Sequence, residues 1–338
     1  MFGNRENIPL TLLKKDDSLA LKGIALLFLL GHHLFYLNDG RYDDIPLWKG
    51  HYLVQEIGIM SKVCVALFVF LSGYGLAVVA QKNGGVPSVK EFYIRRFKKL
   101  FLNYWFIWFV FVPVSYFCYD MTFEKAYQHH VGLQLATDVL GVHDIVFGST
   151  TLCYNPTWWF YSCIILLYLL FPLLYRWIRS DAISVLLVSM AVSFIPISQI
   201  NCIRFNLVAF VLGIMFVAMK LPPPSKPWIW ALLILVLLVS ERNFTSYPLF
   251  TDCLICVALV QVYRSFSFYK SIKTALAFIG KHSMNIFLFH TFIFYFWFRD
   301  YIYAPRIPIV IFLILLCVCL AISVLLEWMK KYTINRFL

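Results

Sequence analysis

Ten apolar stretches dominate this chain, near residues 19–37, 61–80, 100–118, 157–175, 182–198, 203–219, 227–240, 248–263, 278–297 and 307–326. Most approach the ~20 residues a helix needs to cross a bilayer core of ~30 Å, the 227–240 stretch being short. Composition agrees, with 61% of the 338 residues hydrophobic and only 14% charged, where a soluble domain carries roughly a quarter. The sequence therefore predicts an all-α integral membrane protein of about ten transmembrane helices. It is expected to form a single domain over 1–338, with a short tail at 1–18, helices from about 19 to 326, and a carboxy-terminal tail at 327–338. No soluble domain fits between the apolar segments, and no internal repeat or low-complexity segment is visible.

A net charge of +12 would suit nucleic acid in a soluble protein. In a membrane protein it points instead to Lys and Arg in cytoplasmic loops. Placing the amino terminus inside puts nineteen Lys and Arg on inside segments and seven on outside ones, which favours this orientation over its inverse. Both termini are then cytoplasmic, the bilayer is the partner, and nucleic acid is not. The amino-terminal segment lacks a short positive region followed by a small-residue cleavage site, so the first helix reads as an uncleaved signal anchor. Pro222-Pro223-Pro224 marks a stiff inside turn. The longest outside loops, roughly 38–60 and 119–156, are the places to grip an extracytoplasmic ligand.

The nine cysteines form no metal or redox pattern. Cys253 and Cys256 read as small buried hydrophobes in an apolar helix. Cys118 and Cys153 bracket an outside loop and could pair in an oxidising compartment. His129-His130 and His143-Asp144 lie in that loop without a convincing ligand set, so a solvated loop is expected and no metal is required.

The chemistry begins in the first helix, at Lys22-Gly23 and Gly31-His32-His33. Ionisable groups inside a membrane are costly and usually face a bundle interior or a wet cavity. Lys22 and His33 are eleven residues apart, three turns plus ~20°, so they share one face with a rise of ~16 Å. His32 falls ~80° from Lys22 and is less well phased. The alternative is that both histidines sit at an interface and merely satisfy hydrogen bonds.

The Lys22…His33 pair resembles the basic-x10-His signature of the membrane-bound acyltransferase-3 family of polysaccharide O-acyltransferases. That family usually has Arg where this chain has Lys22, which keeps the charge but not the two-pronged grip. Four further stretches are similar to family blocks and occur in the family's order: Phe70-Leu71-Ser72-Gly73-Tyr74-Gly75, Phe92-Tyr93-Ile94-Arg95-Arg96-Phe97-Lys98-Lys99-Leu100, Asn155-Pro156-Thr157-Trp158-Trp159-Phe160, and Ile279-Gly280-Lys281-His282-Ser283-Met284-Asn285-Ile286-Phe287-Leu288-Phe289-His290. Together they span about residues 20–290.

Each block carries a structural and a functional reading. Ser72 and Gly73 permit close helix contact or close approach by a ligand in a tunnel. Arg95, Arg96, Lys98 and Lys99 are a topology or anionic-lipid signal, or a cradle for coenzyme A phosphates in which Arg95 and Lys99, one turn apart, share a phosphate. Trp158, Trp159 and Tyr161 sit where an aromatic belt is expected, and rings also stack against acceptor sugars. His290 and Ser283 bond between helices or take part in catalysis.

The resemblance implies an acetyl-CoA (acyl-CoA) donor inside the cytoplasmic membrane and a carbohydrate or glycan acceptor outside it. The pantetheine arm would thread between helices to present the thioester near His33, the general base on the acceptor hydroxyl. An acyl-histidine intermediate stays open. Two other classes are weighed against this. A secondary transporter using His33, Asp252 and His290 would commonly show related halves, and none is visible. A catalytically silent scaffold of a polysaccharide export system has no need of His33.

Overall fold

The computed structural model describes residues 13–333 except 48–49, 87, 128, 149–150, 152, 205, 221–224, 244–247 and 266–268. The Pro222-Pro223-Pro224 turn and nearly all of the tail before residue 15 lie outside the described residues. Each of the ten apolar stretches contains helix, and no strand is named among the described residues.

Helix α1 (Lys15–Phe35) starts where the Asp17 carboxylate accepts the Lys14 backbone N–H at 3.0 Å. Asp16 and Asp17 also meet the positive end of the helix dipole. Helix α2 (Leu53–Met60) takes its cap from a distant residue: Asp44 accepts the backbone N–H groups of Val54 (2.8 Å) and Gln55 (3.0 Å). One 3-10 turn at Ser61–Val63 joins α2 to α3 (Cys64–Lys82), giving a continuous helical run Leu53–Lys82. The expected 38–60 loop is therefore helix in its last third, because Asp44 supplies the start signal.

Helix α4 (Val89–Cys118) is capped by Ser88, whose hydroxyl accepts the Glu91 N–H at 3.3 Å. Three short helices, α5 (Phe123–Ala126), α6 (Val131–Val139) and α7 (His143–Phe147), organise the following loop. Then come α8 (Trp159–Ser180), α9 (Ala182–Val192), α10 (Asn201–Arg204), α11 (Leu207–Ala218), α12 (Pro227–Asn243) and α13 (Pro248–Ser265). The ninth apolar stretch is not one helix. Amphipathic α14 (Lys270–Lys281) ends at His282, α15 (Ser283–Thr291) begins there, and a π-helical turn spans Phe292–Trp297. Helices α16 (Arg299–Tyr303) and α17 (Pro308–Tyr332) close the bundle.

Among the described residues, six helical runs are long and apolar enough to cross a membrane: Lys15–Phe35, Leu53–Lys82, Val89–Cys118, Trp159–Ser180, Ser198–Ala218 and Pro308–Tyr332. Ala182–Val192, Pro227–Leu238 and Ser283–Trp297 are apolar but shorter. This is a multi-pass helical membrane protein.

Helix α1 packs against α2, α3, α14, α15 and α17. Its contact with α14 brings backbones together: a Cβ on Gly23 would overlap the Leu276 carbonyl, and one on Gly280 would overlap that of Leu19. Close approach through small residues is how membrane helices gain dispersion contacts that lipid cannot displace. The α3–α11 seam repeats the device, with Gly73 against the Phe210 carbonyl and Gly213 against that of Phe70.

Candidate active site

The α1 face predicted from spacing opens on two separate cavities. At the Lys22 end a cavity of about 510 Å³ is lined by Lys22, Arg96, Lys99, Lys281 and Lys330, with Glu327 the only carboxylate among the described residues of its wall. At the other end His33 lines a cavity of about 530 Å³ with His32, Trp159, Thr291, Tyr295 and Arg299. Helix α15 serves both ends as well, placing Ser283, Met284 and Asn285 in the first wall and Thr291 in the second.

Lys330, in the last turn of α17, is buried at 5% exposure. Its ammonium donates to Asn103, to Asn285 at 2.6 Å and to Glu327 at 3.2 Å. Asn285 in turn donates to Glu327 (2.8 Å) and Ser323 (3.1 Å), and Ser323 bonds His282 Nδ1 at 2.9 Å. A buried cation with one partner removed leaves an uncompensated charge, so this network is held as a unit. Sequence reasoning missed Asn103, Asn285, Glu327 and Lys330. Asn285 stood in a quoted block, and an amide within an apolar run was the available signal.

At the His33 end the histidines differ in role. His32 Nδ1–H donates to the Gly58 carbonyl at 2.9 Å. His290, fully buried, donates from Nδ1 to the carbonyls of Ile286 and Phe287, both at 3.0 Å. Its Nε2 therefore carries the lone pair, and among the described residues that atom has no partner. The rings of His33 and His290 stand 4.9 Å apart, and among the described residues His33 makes no hydrogen bond.

The π-turn explains how the Asn155 block docks there. At the α-to-π switch the Phe292 N–H does not return to Leu288, so the Leu288 carbonyl is free for side chains. Trp158 Nε1–H donates to it at 2.9 Å and Asn155 Nδ2 at 3.3 Å. Asn155 Oδ1 accepts the Thr157 N–H and hydroxyl, at 3.0 and 2.8 Å, and this turn fixes Trp158. Trp158 and Tyr161 are thus buried (3% and 2% exposed) and are not an aromatic belt. Trp159 remains half-buried and lines the His33 cavity.

The basic cluster divides. Arg96 and Lys99, three residues apart, line the cavity with Lys22. Arg95 is exposed and pairs with Glu91 at 3.6 Å, in the wall of a small cleft, and Lys98 is exposed outside the described cavities. Gly73 serves the α3–α11 contact, and Ser72 sits beside the Tyr168 hydroxyl, whose residue lines the Lys22 cavity.

The 119–156 loop is not the solvated loop expected from its sequence. His129 and His130 are exposed, but Asp138 (1%), His143 (3%) and Asp144 (5%) are buried. The ligating atoms of Asp138, His143 and Cys153 lie within 4.8 Å of one another. Two of the three are engaged within the chain. Asp138 Oδ2 accepts Tyr127 O–H (2.5 Å) and Tyr154 N–H (2.7 Å), and Cys153 S–H donates to the Asn155 carbonyl at 2.8 Å. Burial pushes the Asp138 carboxyl up to about 7, against the pull of those two donors. Burial alone lowers His143 to about 4. Cys118 and Cys153 are both free thiols, so the pairing considered from sequence is not formed. Cys253 and Cys256 are buried within α13, as expected of small hydrophobes.

The bundle thus places a basic cavity at one end of α1 and a histidine pair at the other. The chain belongs to the acyltransferase-3 family: the family's sequence profile, described as an acyltransferase domain, matches residues 19–328, nearly the whole chain. It is a membrane acyltransferase. No curated protein and no solved structure matches it.

Proposed function

We propose that the protein is a multi-pass O-acyltransferase of the cytoplasmic membrane that moves an acetyl group from acetyl-CoA to a hydroxyl of an extracytoplasmic glycan. The observation that carries this is the division of one α1 face between two cavities, Lys22 opening on the basic one and His33 on the aromatic one. Coenzyme A is a polyanion, and Lys22, Arg96 and Lys99 give its phosphates charge-assisted donors. Its pantetheine arm runs along the α1–α15 seam over the ~16 Å rise from Lys22 to His33.

His33 takes the proton of the acceptor hydroxyl as its oxygen attacks the thioester carbonyl. The C–O bond forms, the C–S bond breaks, and coenzyme A leaves as the thiolate, which is then protonated. His290 is placed to hold His33: the two ring centroids stand 4.9 Å apart and the His290 Nε2 lone pair is unused among the described residues. Closing of the two rings in the working complex would give the His33 N–H an acceptor and fix the tautomer that presents the basic nitrogen to the acceptor hydroxyl. The chemistry as drawn requires no metal.

The test is transfer of labelled acetyl from acetyl-CoA to envelope glycan in membranes holding equal amounts of wild type or His33→Ala. Loss of incorporation with His33→Ala is expected. Labelling unchanged by that substitution would remove His33 from the base role.

A further inference from the structure

We infer that the His33 cavity is built for an acceptor bearing an anionic group, a carboxylate or a phosphate, and that Arg299 reads it; this rests on the acyltransferase reading of that cavity. Among the described residues, three charged side chains other than histidine line the cavity: Asp39, Arg41 and Arg299. Asp39 is spent on Arg41, to which it is paired at 2.6 Å. Arg299 is left as the surplus cation. It has no salt bridge among the described residues, and its Nε, shielded from solvent, has no hydrogen-bond partner.

The guanidinium is nonetheless positioned. It lies over the Tyr295 ring, 5.1 Å from the centroid, and Tyr295 lines the same cavity. A planar fork fixed by a ring is pre-organised for two parallel bonds to carboxylate or phosphate oxygens. An unpaired buried donor is costly until a ligand fills it, so an anionic ligand gains where a neutral hydroxyl gains less. Trp159 and Tyr303 in the same wall offer faces for the sugar ring itself. The acceptor class assigned is an acidic glycan, either a uronic-type sugar or a phosphate-bearing one.

The experiment measures binding by titration calorimetry on the full chain in lipid nanodiscs, without acyl donor. The probes are one oligosaccharide terminated by glucose, by glucuronate or by glucose 6-phosphate. Wild type is expected to bind an anionic probe about tenfold to a hundredfold more tightly than the neutral one at low salt, the range of a charge-assisted pair. Arg299→Gln should abolish the preference, and Arg299→Lys should keep part of it. Which anionic probe binds more tightly tells the carboxylate source from the phosphate source. Equal binding of all three probes, or no detectable binding of either anionic one, would overturn the inference. So would a preference that survives Arg299→Gln, or a variant that weakens neutral and anionic probes alike. Acyl transfer is assayed separately in the same preparations, so its failure counts against the acyltransferase reading and not against the anion preference.

Discussion

At the scale of single residues, the phase of Lys22 and His33 was legible because helical period acts within one segment. His290 came into view only through a block resemblance, and its partnership with His33 joins positions 257 apart, which no local pattern encodes. The structure separates three histidines that look alike in sequence: His32 is tied to Gly58, His290 is tied to its own helix, and His33 makes no hydrogen bond among the described residues. In the proposed mechanism His290 is a positioning residue. His290→Leu should lower kcat about tenfold to a hundredfold, below the full worth of a general base, with the acyl-CoA KM unchanged. His290→Gln, whose amide oxygen can accept the His33 N–H, should restore part of the rate. Because the tautomer of His33 is at stake, the pH–rate profile should also shift in His290→Leu. A variant with wild-type kcat and profile would leave His290 a packing residue.

Among the elements, helices were legible and their joints were not. The break at His282 and the π-turn at Phe292–Trp297 fall inside a stretch whose hydropathy is continuous. The 119–156 loop was misread because its burial comes from bonds between segments, such as Tyr127 and Tyr154 on Asp138, rather than from any apolar run. That loop makes a pH prediction of two opposed signs. Asp138 sits near 7 when folded against an ordinary value of 3.8, so its contribution is full below pH 3.8 and lost as pH rises through 7. His143 sits near 4 against 6.5, so its contribution is full above pH 6.5 and lost as pH falls through 4. Each slope approaches about 1.4 kcal/mol per pH unit, and between pH 4 and 6.5 they offset one another. Thermal unfolding followed by tryptophan fluorescence should separate them. Relative to wild type, Asp138→Asn should gain stability as pH rises from 4 to 7, and His143→Gln should gain it as pH falls from 6.5 to 4. Variants that track wild type at a constant offset across this range would show that neither group titrates with folding.

For the whole molecule, composition indicated a membrane protein and the Lys/Arg bias gave an expected orientation, whereas the cavities follow from packing that only the folded chain shows. Lys330 illustrates the gap: counted by sequence as a topology charge, it is buried in the network that walls the Lys22 cavity. If the two cavities do the two halves of one reaction, the protein must be sided. Acetyl-CoA carries several negative charges and does not cross a sealed bilayer, so it has to arrive where Lys22, Arg96 and Lys99 are. In sealed proteoliposomes of one orientation, acetyl-CoA should support transfer only from the Lys22 side, and a large glycan acceptor should be modified only on the His33 side. Detergent should abolish the requirement. Lys22→Ala and Lys99→Ala should each raise the acyl-CoA KM about tenfold, the worth of one charge-assisted phosphate contact, while leaving the acceptor KM unchanged. Removing both should cost less than the product of the two, because neighbouring cations on one ligand are coupled. Transfer in sealed vesicles with donor and acceptor confined to the same side would contradict the two-cavity mechanism outright, since the thioester and the hydroxyl could then meet only in a single cavity.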